Sequence, residues 1–304
     1  MLSDLIRALR TEQLDFVEKE PLSAHTTFKI GGPAAVFCTP ASVAELVRVL
    51  ELCRETGVRR YLLGNGSNML FSDKGFDGAV ISLCGVKSRC TVQDGKLTAG
   101  AGERLVSICR EAERHSLTGL EFAYGIPGSV GGAVYMNAGA YGGEMRDVLE
   151  SVTFLDENLR LATLSVEQLA LGYRTSIFER QPWCILEATF QLTPGNAEQI
   201  RARMEELMER RRSKQPLELP SAGSTFKRPE GAFAGSLIEQ CGLRGYSVGG
   251  AQISEKHCGF VVNRGGATCA DVVALTEEVR RIVEEKTGFV LEREIRAIPV
   301  AMWV

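Results

Sequence analysis

Histidine is scarce in this sequence of 304 residues, and each histidine is isolated. His25, His115 and His257 do not stand at the spacing of metal ligands. The nine cysteines form no C-x-x-C pair. Without an apparent export signal, scattered cysteines indicate small buried side chains in a reducing compartment. We therefore expect neither a metal site nor a disulfide framework.

Charge of one sign is not in excess. The chain has 35 lysines and arginines against 38 aspartates and glutamates, which gives a net charge of −3. Since nucleic acids and anionic membranes attract basic surfaces, we expect neither as a partner. Segment 1–13 spaces its leucines like an amphipathic helix and lacks the unbroken apolar core of a signal peptide. The expected location is cytoplasmic.

Long apolar runs are also few, and the longest charge-free stretch is rich in glycine. Residues 122–143 carry no charged side chain, and the stretch could span a bilayer by length alone. However, this stretch contains seven glycines together with Pro127 and Asn137, which make a lipid-exposed helix poor. We expect a buried, irregular loop here.

Alternating strand and helix patterns predict a mixed α/β architecture. Ser42 and Glu45 form a capping-box pattern for a helix that Gly57 ends, and Asp94-Gly95 suits a type I′ hairpin turn within 91–99. The charged helix 197–212 is expected to begin a second region. Strands are predicted at 34–38, 59–64, 148–155, 159–164, 184–192, 259–263 and 289–295, and the longer helices at 42–55, 103–115, 197–212 and 270–286.

Two glycine-rich loops suggest a ligand with phosphates. The first, GNGSN at 64–68, begins like a dinucleotide fingerprint, but Met69 stands where the third glycine would be and no helix pattern follows. Its backbone N–H groups could instead form an anion nest. The second loop, 123–144, allows close approach of a flat ligand to the backbone. Two interpretations remain open from the residues alone: a dinucleotide-like cofactor such as FAD, and structural turns.

One pentapeptide imitates a hydrolase motif. GYSVG at 245–249 matches the nucleophile elbow, which needs a strand before it, a helix after it, and later an aspartate followed by a histidine. Here a loop precedes it and a predicted strand follows. Asp271 lies beyond His257, the last histidine in the chain. A Ser–His–Asp hydrolase is therefore not expected.

Seven segments stand out along the chain: HTTFKIGG (25–32), LLGNGSNML (62–70), GIPGSVGGAVYMNAGAYGGE (125–144), YRTSIF (173–178), AGSTFKRP (222–229), GGAQISEKHCGFVVN (249–263) and LEREIR (291–296). Together, and in the right order from about residue 20 to 298, they resemble the UDP-N-acetylenolpyruvylglucosamine reductase family. The resemblance implies an α+β (mixed α/β) fold. A two-part FAD-binding domain of the vanillyl-alcohol-oxidase type would be followed by a C-terminal α+β substrate domain.

The resemblance also implies the domain limits and the reaction. FAD-binding subdomains are expected at 1–90 and 91–195, with the FAD-binding domain as a whole at about 30–195, and a substrate domain at 196–304. NADPH would reduce FAD, which would then reduce UDP-N-acetylglucosamine enolpyruvate to UDP-N-acetylmuramate for peptidoglycan. The expected partners are these small molecules, and the expected state is a monomer.

By the same resemblance, Ser224 is the proton donor to substrate carbon, and Arg174 and Glu294 lie at the enolate. If LEREIR is a strand, Glu292, Glu294 and Arg296 share a face while Arg293 points away. The implied FAD contacts are Gly64, Asn65, Gly66, Ser67, Asn68, Ile126, Pro127, Gly128, Ser129, Gly131, Gly132, Ala138 and Gly139. The implied substrate contacts are Tyr173, Lys214, Lys227 and Arg228.

Two other functions are weighed against this one. A flavin oxidase of the same FAD-domain type, acting on a sugar or lactone, often tethers its flavin through histidine or cysteine, and His25 is the candidate near the first motif. A non-catalytic module binding FAD or a sugar nucleotide would not need arginine, serine and glutamate together. Some family members carry an extra loop with a tyrosine over the uridine. Here only a strand and a long helix separate Arg174 from Ser224, which is typical of the shorter class.

Overall fold

Residues 1–86 and 90–299 are described by the structure, a computed structural model. The chain forms two units, each made from three segments. The first unit contains Met1–Val17, Val36–Asn65 and Gly78–Arg211. The second contains Glu18–Ala35, Gly66–Asp77 and the chain from Arg212 onward. These units follow from compactness alone, so the FAD-binding and substrate domain limits stay a prediction.

Helices and mostly short strands alternate along the chain. The α-helices are α1 Leu2–Thr11, α2 Val43–Thr56, α3 Leu105–Arg114, α4 Val130–Tyr135, α5 Ala197–Lys214, α6 Ala234–Gln240 and α7 Cys269–Thr287. The strands are β1 Phe16–Pro21, β2 Pro33–Cys38, β3 Arg60–Leu63, β4 Met69–Phe71, β5 Phe76–Ser82, β6 Thr91–Gln93, β7 Lys96–Gly100, β8 Leu117–Thr118, β9 Gly139–Ala140, β10 Gly143–Glu144, β11 Leu149–Leu155, β12 Leu161–Ser165, β13 Cys184–Gln191, β14 Thr193–Pro194, β15 Ser221–Ser224, β16 Ser247–Val248, β17 Ala251–Ile253, β18 Phe260–Asn263 and β19 Arg296–Ile298.

The larger sheet of the first unit is antiparallel and has the order β12-β11-β13-β7-β6. Asp94 and Gly95 join β6 to β7 with φ of +52° and +77°, which confirms the predicted type I′ turn. Helices α3 and α4 pack on β7. Their buried side chains, such as Ile108 and Val134, share one core with Ala188 and Phe190 of β13.

A second sheet has the order β1-β2-β5-β3, and β3 pairs with β5 in parallel. The strands predicted at 34–38 and 59–64 and the helix between them are present as β2, β3 and α2, with β5 lying between the two strands. Helix α2 begins where the Ser42 hydroxyl accepts a hydrogen bond from the Glu45 N–H at 3.2 Å. The Glu45 carboxylate accepts from the N–H of Ala41 instead of Ser42, so the capping box is only half formed. Gly57 ends the helix at φ +67°, as expected.

The second unit is built on the antiparallel sheet β15-β18-β17-β16. Helix α7 is capped by Thr268 at its start and by Gly288, at φ +76°, at its end. It buries Leu275 and Val279 against Ile238 of α6 and the sheet. Strands β4 and β19 pair in parallel nearby in the same unit.

Two sequence predictions are wrong in part. The stretch 122–143 is only partly buried, and it contains α4 and the paired strands β9 and β10 rather than only irregular loop. Ser129 caps α4, and Gly131 lies so close to Ala101 that a Cβ would stand 2.8 Å from the alanine Cβ. Packing against a distant segment thus supports a helix that its glycines disfavour.

The predicted strand at 289–295 does not form. Within it, Arg293 makes only an isolated bridge with Phe226, and the strand lies further on as β19. The Arg293 side chain turns to α7, donating to Thr276 Oγ1 at 3.0 Å and forming an ion pair with Glu277. The side chains of Leu291, Arg293 and Ile295 are buried at every second position, so the segment keeps the side-chain alternation of a strand although it pairs only at this one bridge.

Candidate functional site

The two glycine-rich loops meet within the first unit. The Asn65 side-chain amide donates to the Pro127 carbonyl at 2.5 Å. A Cβ on Gly64 would stand 2.4 Å from the Ser129 hydroxyl oxygen, so a side chain there would displace the hydroxyl that caps α4. The structure therefore brings together four residues predicted from separate motifs to bind FAD.

Two backbone N–H groups where these loops meet have no partner in the described part of the chain, and one of them belongs to the buried Ser129. The N–H groups of Val130 and Gly131 are used by the carbonyls of Glu103 and Ala101, both at 2.8 Å. By contrast, the N–H groups of Gly128 and Ser129 make no hydrogen bond within residues 1–86 and 90–299. Two adjacent free donors of this kind suit an oxygen of a phosphate.

The second unit contains the rest of the first loop. Gly66 has φ +61°, and a Cβ there would stand 2.0 Å from the His25 carbonyl oxygen, so the fold itself requires glycine. In the described part of the chain, the N–H groups of Gly66 and Ser67 and the Ser67 hydroxyl make no hydrogen bond. They are the donors that the predicted anion nest requires, and the nest itself stays a prediction. The His25 ring is already 2.8 Å from a carboxylate oxygen of Glu20.

Asn68 has a different role from its neighbours in the loop. Its side-chain amide donates to the Glu294 carbonyl at 3.1 Å, and its own carbonyl accepts from the Arg296 N–H at 2.9 Å. The predicted cofactor residue thus holds the segment that carries the predicted catalytic glutamate. Sequence reasoning placed both residues at the site but did not connect them.

Ser224 ends β15 beside the same glutamate segment. The Glu294 N–H donates to the Thr225 carbonyl and the Lys227 N–H donates to the Glu292 carbonyl, both at 2.8 Å. The Ser224 hydroxyl is half-buried and makes no hydrogen bond among the residues the structure describes. The second unit therefore holds Ser224 and Glu294 on neighbouring segments, with a hydroxyl free to act.

Arg174 lies in the first unit on a tight turn. The turn is closed by the Gly172 N–H, which donates to the Thr175 carbonyl at 3.0 Å. Arg174 has φ +58°, a conformation that costs a non-glycine residue roughly 1–3 kcal/mol. Its guanidinium donates to the Gly139 carbonyl at 3.4 Å and lies 5.1 Å from the centre of the Tyr173 ring. Backbone strain at this arginine is typical of a functional position.

The predicted substrate contacts are mostly exposed cations. Lys214 is exposed at the end of α5. Lys227 forms an ion pair with Glu292. The Arg228 guanidinium lies 4.0 Å from the centre of the Phe233 ring, whose side chain is 58% exposed. An exposed aromatic ring beside an arginine is a surface that a nucleotide base could contact.

The remaining predicted contacts follow the glycine-rich chain of the first unit. Gly131 and Ala138 are buried, so their small size serves packing. Ile126 is half-buried and Gly132 is exposed at the start of α4. A cavity of about 400 Å³ in this unit is lined by other residues, among them Tyr141 and Arg203, and by none of the predicted site residues.

The cysteines agree with their predicted role as buried apolar side chains, except Cys84, which is exposed, and Cys90, which is partly so. Burial raises the pKa of the Cys38 and Cys184 thiols to about 12, so they are not reactive thiolates at neutral pH. The described residues contain no group of three or more metal-ligating side chains. Within the same residues, no helix is long and apolar enough to cross a membrane.

Comparisons with known proteins show which family the chain is similar to. Residues 215–298 match the UDP-N-acetylenolpyruvoylglucosamine reductase C-terminal domain, and residues 33–165 match an FAD binding domain. The reductase of Caldanaerobacter subterraneus is 49% identical, covering 92% of each chain. That of Lachnoclostridium phytofermentans is also 49% identical, covering 98% of this chain and 97% of its own.

A solved structure extends the comparison to the fold. The crystal structure of UDP-N-acetylenolpyruvylglucosamine reductase from Thermus caldophilus is 37% identical, with a TM-score of 0.77 over 93% of this chain and 98% of that one. The predicted fold class, α+β with an FAD-binding domain of the vanillyl-alcohol-oxidase type, is confirmed, as is the resemblance read from the motifs. The chain belongs to the UDP-N-acetylenolpyruvoylglucosamine reductase family.

Proposed function

We propose that this protein uses NADPH to reduce UDP-N-acetylglucosamine enolpyruvate to UDP-N-acetylmuramate, a step in the synthesis of peptidoglycan precursors. The observation that carries the proposal is the 49% identity to reductases of that name over nearly the whole chain. Further support comes from the half-buried Ser224 hydroxyl beside the Glu294 segment, inside the part of the chain that matches the reductase C-terminal domain.

FAD fits the residues that we assign to it. The free N–H groups of Gly128 and Ser129, and those of Gly66 and Ser67, are donors for diphosphate oxygens. The many glycines of the two loops leave backbone that a flat ring can approach. Held by these residues, FAD would supply the hydride chemistry that links NADPH to the double bond of the substrate.

Arg174 is assigned to the charge that develops on the substrate. Hydride addition at the terminal vinyl carbon leaves negative charge on the neighbouring carbon, shared with the carboxylate. A fixed cation that meets this charge stabilises the transition state, and loss of one such donor costs about 2.7–4 kcal/mol. The strained turn gives Arg174 a fixed place in the first unit. Glu294 is assigned beside the same carbon through its place in the LEREIR motif.

Ser224 is assigned as the acid that completes the reduction by protonating that second carbon. A hydroxyl is weakly acidic, but its partner here is a strong carbon base, so no histidine is needed to activate it. Proton donation from a positioned group contributes roughly 10²–10⁴-fold to the rate. Lys227 lies three residues beyond Ser224 and has its ammonium paired with Glu292.

The remaining assignments concern the nucleotide and the setting in the cell. Tyr173, Lys214, Lys227 and Arg228 are assigned to the sugar-nucleotide, since an aromatic ring and three cations suit a uridine diphosphate. A cytoplasmic monomer, acting in growth and division through the cell wall, completes the proposal. Sedimentation velocity of the purified protein tests the monomer, and cell fractionation tests the location.

Anaerobic stopped-flow absorbance tests the reaction. NADPH added to the FAD-loaded protein is expected to bleach the flavin band, and the enolpyruvyl sugar-nucleotide added next is expected to restore it. UDP-N-acetylglucosamine, which lacks the double bond, is the control and leaves the flavin reduced. Fast reoxidation by oxygen with none by the enolpyruvyl compound would indicate an oxidase of the same FAD-domain type. Failure to take up FAD would contradict the proposal outright.

A further inference from the structure

The turn that carries Arg174 is not held by its own residues alone. Its two closing hydrogen bonds join Gly172 and Thr175, and the second of them, from the Thr175 N–H to the Gly172 carbonyl, is long at 3.4 Å. The guanidinium reaches the Gly139 carbonyl at 3.4 Å. A two-residue turn with its arginine at φ +58° needs outside contacts to keep this conformation.

Asn137 supplies the central contact. Its side chain is fully buried, and its amide nitrogen donates to the Gly172 carbonyl at 3.0 Å. Its amide oxygen accepts from the Arg146 N–H at 2.9 Å. Because one neighbour is a carbonyl and the other an N–H, only one orientation of the amide satisfies both. Asn137 itself has φ +43°, a region that asparagine tolerates better than most residues.

Two further bonds tie the same turn to the same stretch of chain. The Ser176 hydroxyl donates to the Tyr135 carbonyl at 2.6 Å, and the Arg146 guanidinium donates to the Leu171 carbonyl. Asn137 lies between these two attachments and two residues before Gly139, whose carbonyl contacts Arg174. It therefore fixes both the backbone of the turn and the chain against which the guanidinium rests.

We propose that Asn137 is a positioning residue for the reduction of the substrate, acting through Arg174. The inference rests on the proposed function, since it assigns a consequence to the placement of that arginine. Its amide holds the Gly172 carbonyl, and through it the turn, in the place where the guanidinium meets the developing charge. Loss of the amide is expected to slow the step that creates this charge and to leave reduction of the flavin by NADPH unaffected.

The test compares the two half-reactions in Asn137→Asp. This change keeps the size of the side chain and one oxygen for the Arg146 N–H, but it sets a carboxylate oxygen against the Gly172 carbonyl in place of the donor. We expect reoxidation of the flavin by the enolpyruvyl substrate to fall about 100-fold, as for a reacting group displaced by about 1 Å, with flavin reduction unchanged. Asn137→Gly removes both bonds while accepting the positive φ, and is expected to show the same split.

A matched control separates positioning from general damage. Asn263 is also a buried asparagine, and it donates to the Phe28 carbonyl at 3.2 Å and accepts from the Gly265 N–H at 2.9 Å, all in the second unit. Asn263→Asp is expected to lower the melting temperature and to leave both half-reactions of the folded protein unchanged. Equal slowing of reoxidation in both variants would overturn the proposal.

A double-mutant cycle gives the decisive reading. If Asn137 acts through Arg174, then Asn137→Asp added to Arg174→Ala is expected to cause no further loss in reoxidation rate. Losses that multiply, or an Asn137 variant that slows both half-reactions alike, would overturn the inference. Failure of the wild-type protein to be reoxidised by the substrate would instead contradict the proposed function, so the two failures are distinct.

Discussion

Arg174 and Ser224 are held in place by different kinds of hydrogen bond. Ser224 ends a strand, faces Phe260 across the sheet, and is followed by main-chain bonds from Thr225 to Gly259 and from Glu294 to Thr225. Arg174 lies on a strained turn that is attached to the glycine-rich stretch mainly through side chains, above all through Asn137. One predicted catalytic residue depends on backbone pairing, the other on a few particular side chains.

This difference implies two patterns of response to mutation. Any residue except proline can make a main-chain bond, so side-chain changes near Ser224 are expected to alter stability more than the place of the hydroxyl. A turn attached through side chains loses its geometry when one attachment is removed. Changes near Arg174 are therefore expected to alter catalysis even where the fold survives.

The largest effect is expected for Ser224→Ala, at the residue that main-chain hydrogen bonds hold in place. The change removes one oxygen and no main-chain bond, so the fold and FAD uptake are expected to persist. NADPH should reduce the flavin at the wild-type rate, while reoxidation by the enolpyruvyl substrate falls roughly 10²–10⁴-fold because its proton donor is gone. Anaerobic stopped-flow absorbance measures both steps. A similar loss in each would show that the serine supports the fold or the cofactor instead.

Arg174→Ala and Arg174→Gly together test the role of Arg174 and the strain in its backbone. Both remove the guanidinium and are expected to slow reoxidation by about 10²–10³-fold, the equivalent of 2.7–4 kcal/mol. They differ in the backbone, since glycine adopts φ +58° without strain and alanine does not. Arg174→Gly should therefore melt at a higher temperature than Arg174→Ala in a thermal scan. The reverse order of melting would mean that the turn relaxes when the arginine is lost.

Thr225→Val tests whether a change beside Ser224 lowers the stability of the protein without slowing the reaction. Thr225 is buried, and its hydroxyl accepts from the Val261 N–H at 2.8 Å. Valine leaves that N–H without a partner, so the free energy of unfolding in urea is expected to fall by about 1–3 kcal/mol. The reoxidation rate per bound flavin should stay at the wild-type value. A large kinetic loss would show that Ser224 also depends on side chains.

Thr153→Val is the matched control for that stability measurement. Thr153 contacts Thr163 through its hydroxyl at 3.1 Å in an exposed cross-strand pair of the first unit. Water replaces the lost bond there, so the change in the free energy of unfolding is expected to stay within about 0.5 kcal/mol. If the free energy of unfolding fell as much as in Thr225→Val, burial of the hydroxyl would not explain the loss of stability in that variant.

Local sequence signals predicted the elements that local chemistry decides. Ser42 and Gly57 mark the ends of α2, and Asp94-Gly95 forms the predicted turn, because capping and positive φ depend on the residues themselves. Helix α4 was missed because its support comes from the distant Ala101 and Glu103. The strand predicted at 289–295 is reduced to a single bridge between Arg293 and Phe226, a pairing partner 67 positions away that no local pattern shows.

The candidate site shows the same limit. The motifs placed Gly64, Asn65 and Ser129 in separate loops, and the structure brings these loops together. No local pattern shows that Asn137 reaches Gly172, since the two residues are 35 positions apart. The only sequence signal is an asparagine within an otherwise small and apolar run, and by itself it argues merely against a membrane helix.

The smallest expected effect concerns the pH dependence of the second unit. Burial lowers the pKa of His257 below its usual 6.5, nearby Arg244 lowers it further, and Glu239 and a backbone hydrogen bond oppose this. The unfolded chain then binds a proton more readily than the folded one, so stability is full above about pH 6.5 and is lost as the pH falls below it.

His257→Asn keeps an acceptor for the Gly259 N–H, which His257 Nδ1 binds at 3.1 Å, and removes the titrating ring. The urea midpoint should fall less for this variant than for the wild type between neutral pH and about pH 5.5. An equal fall would assign the acid sensitivity to the carboxylates, among them the helix-capping Asp271, whose pKa is lowered by the Thr268 N–H.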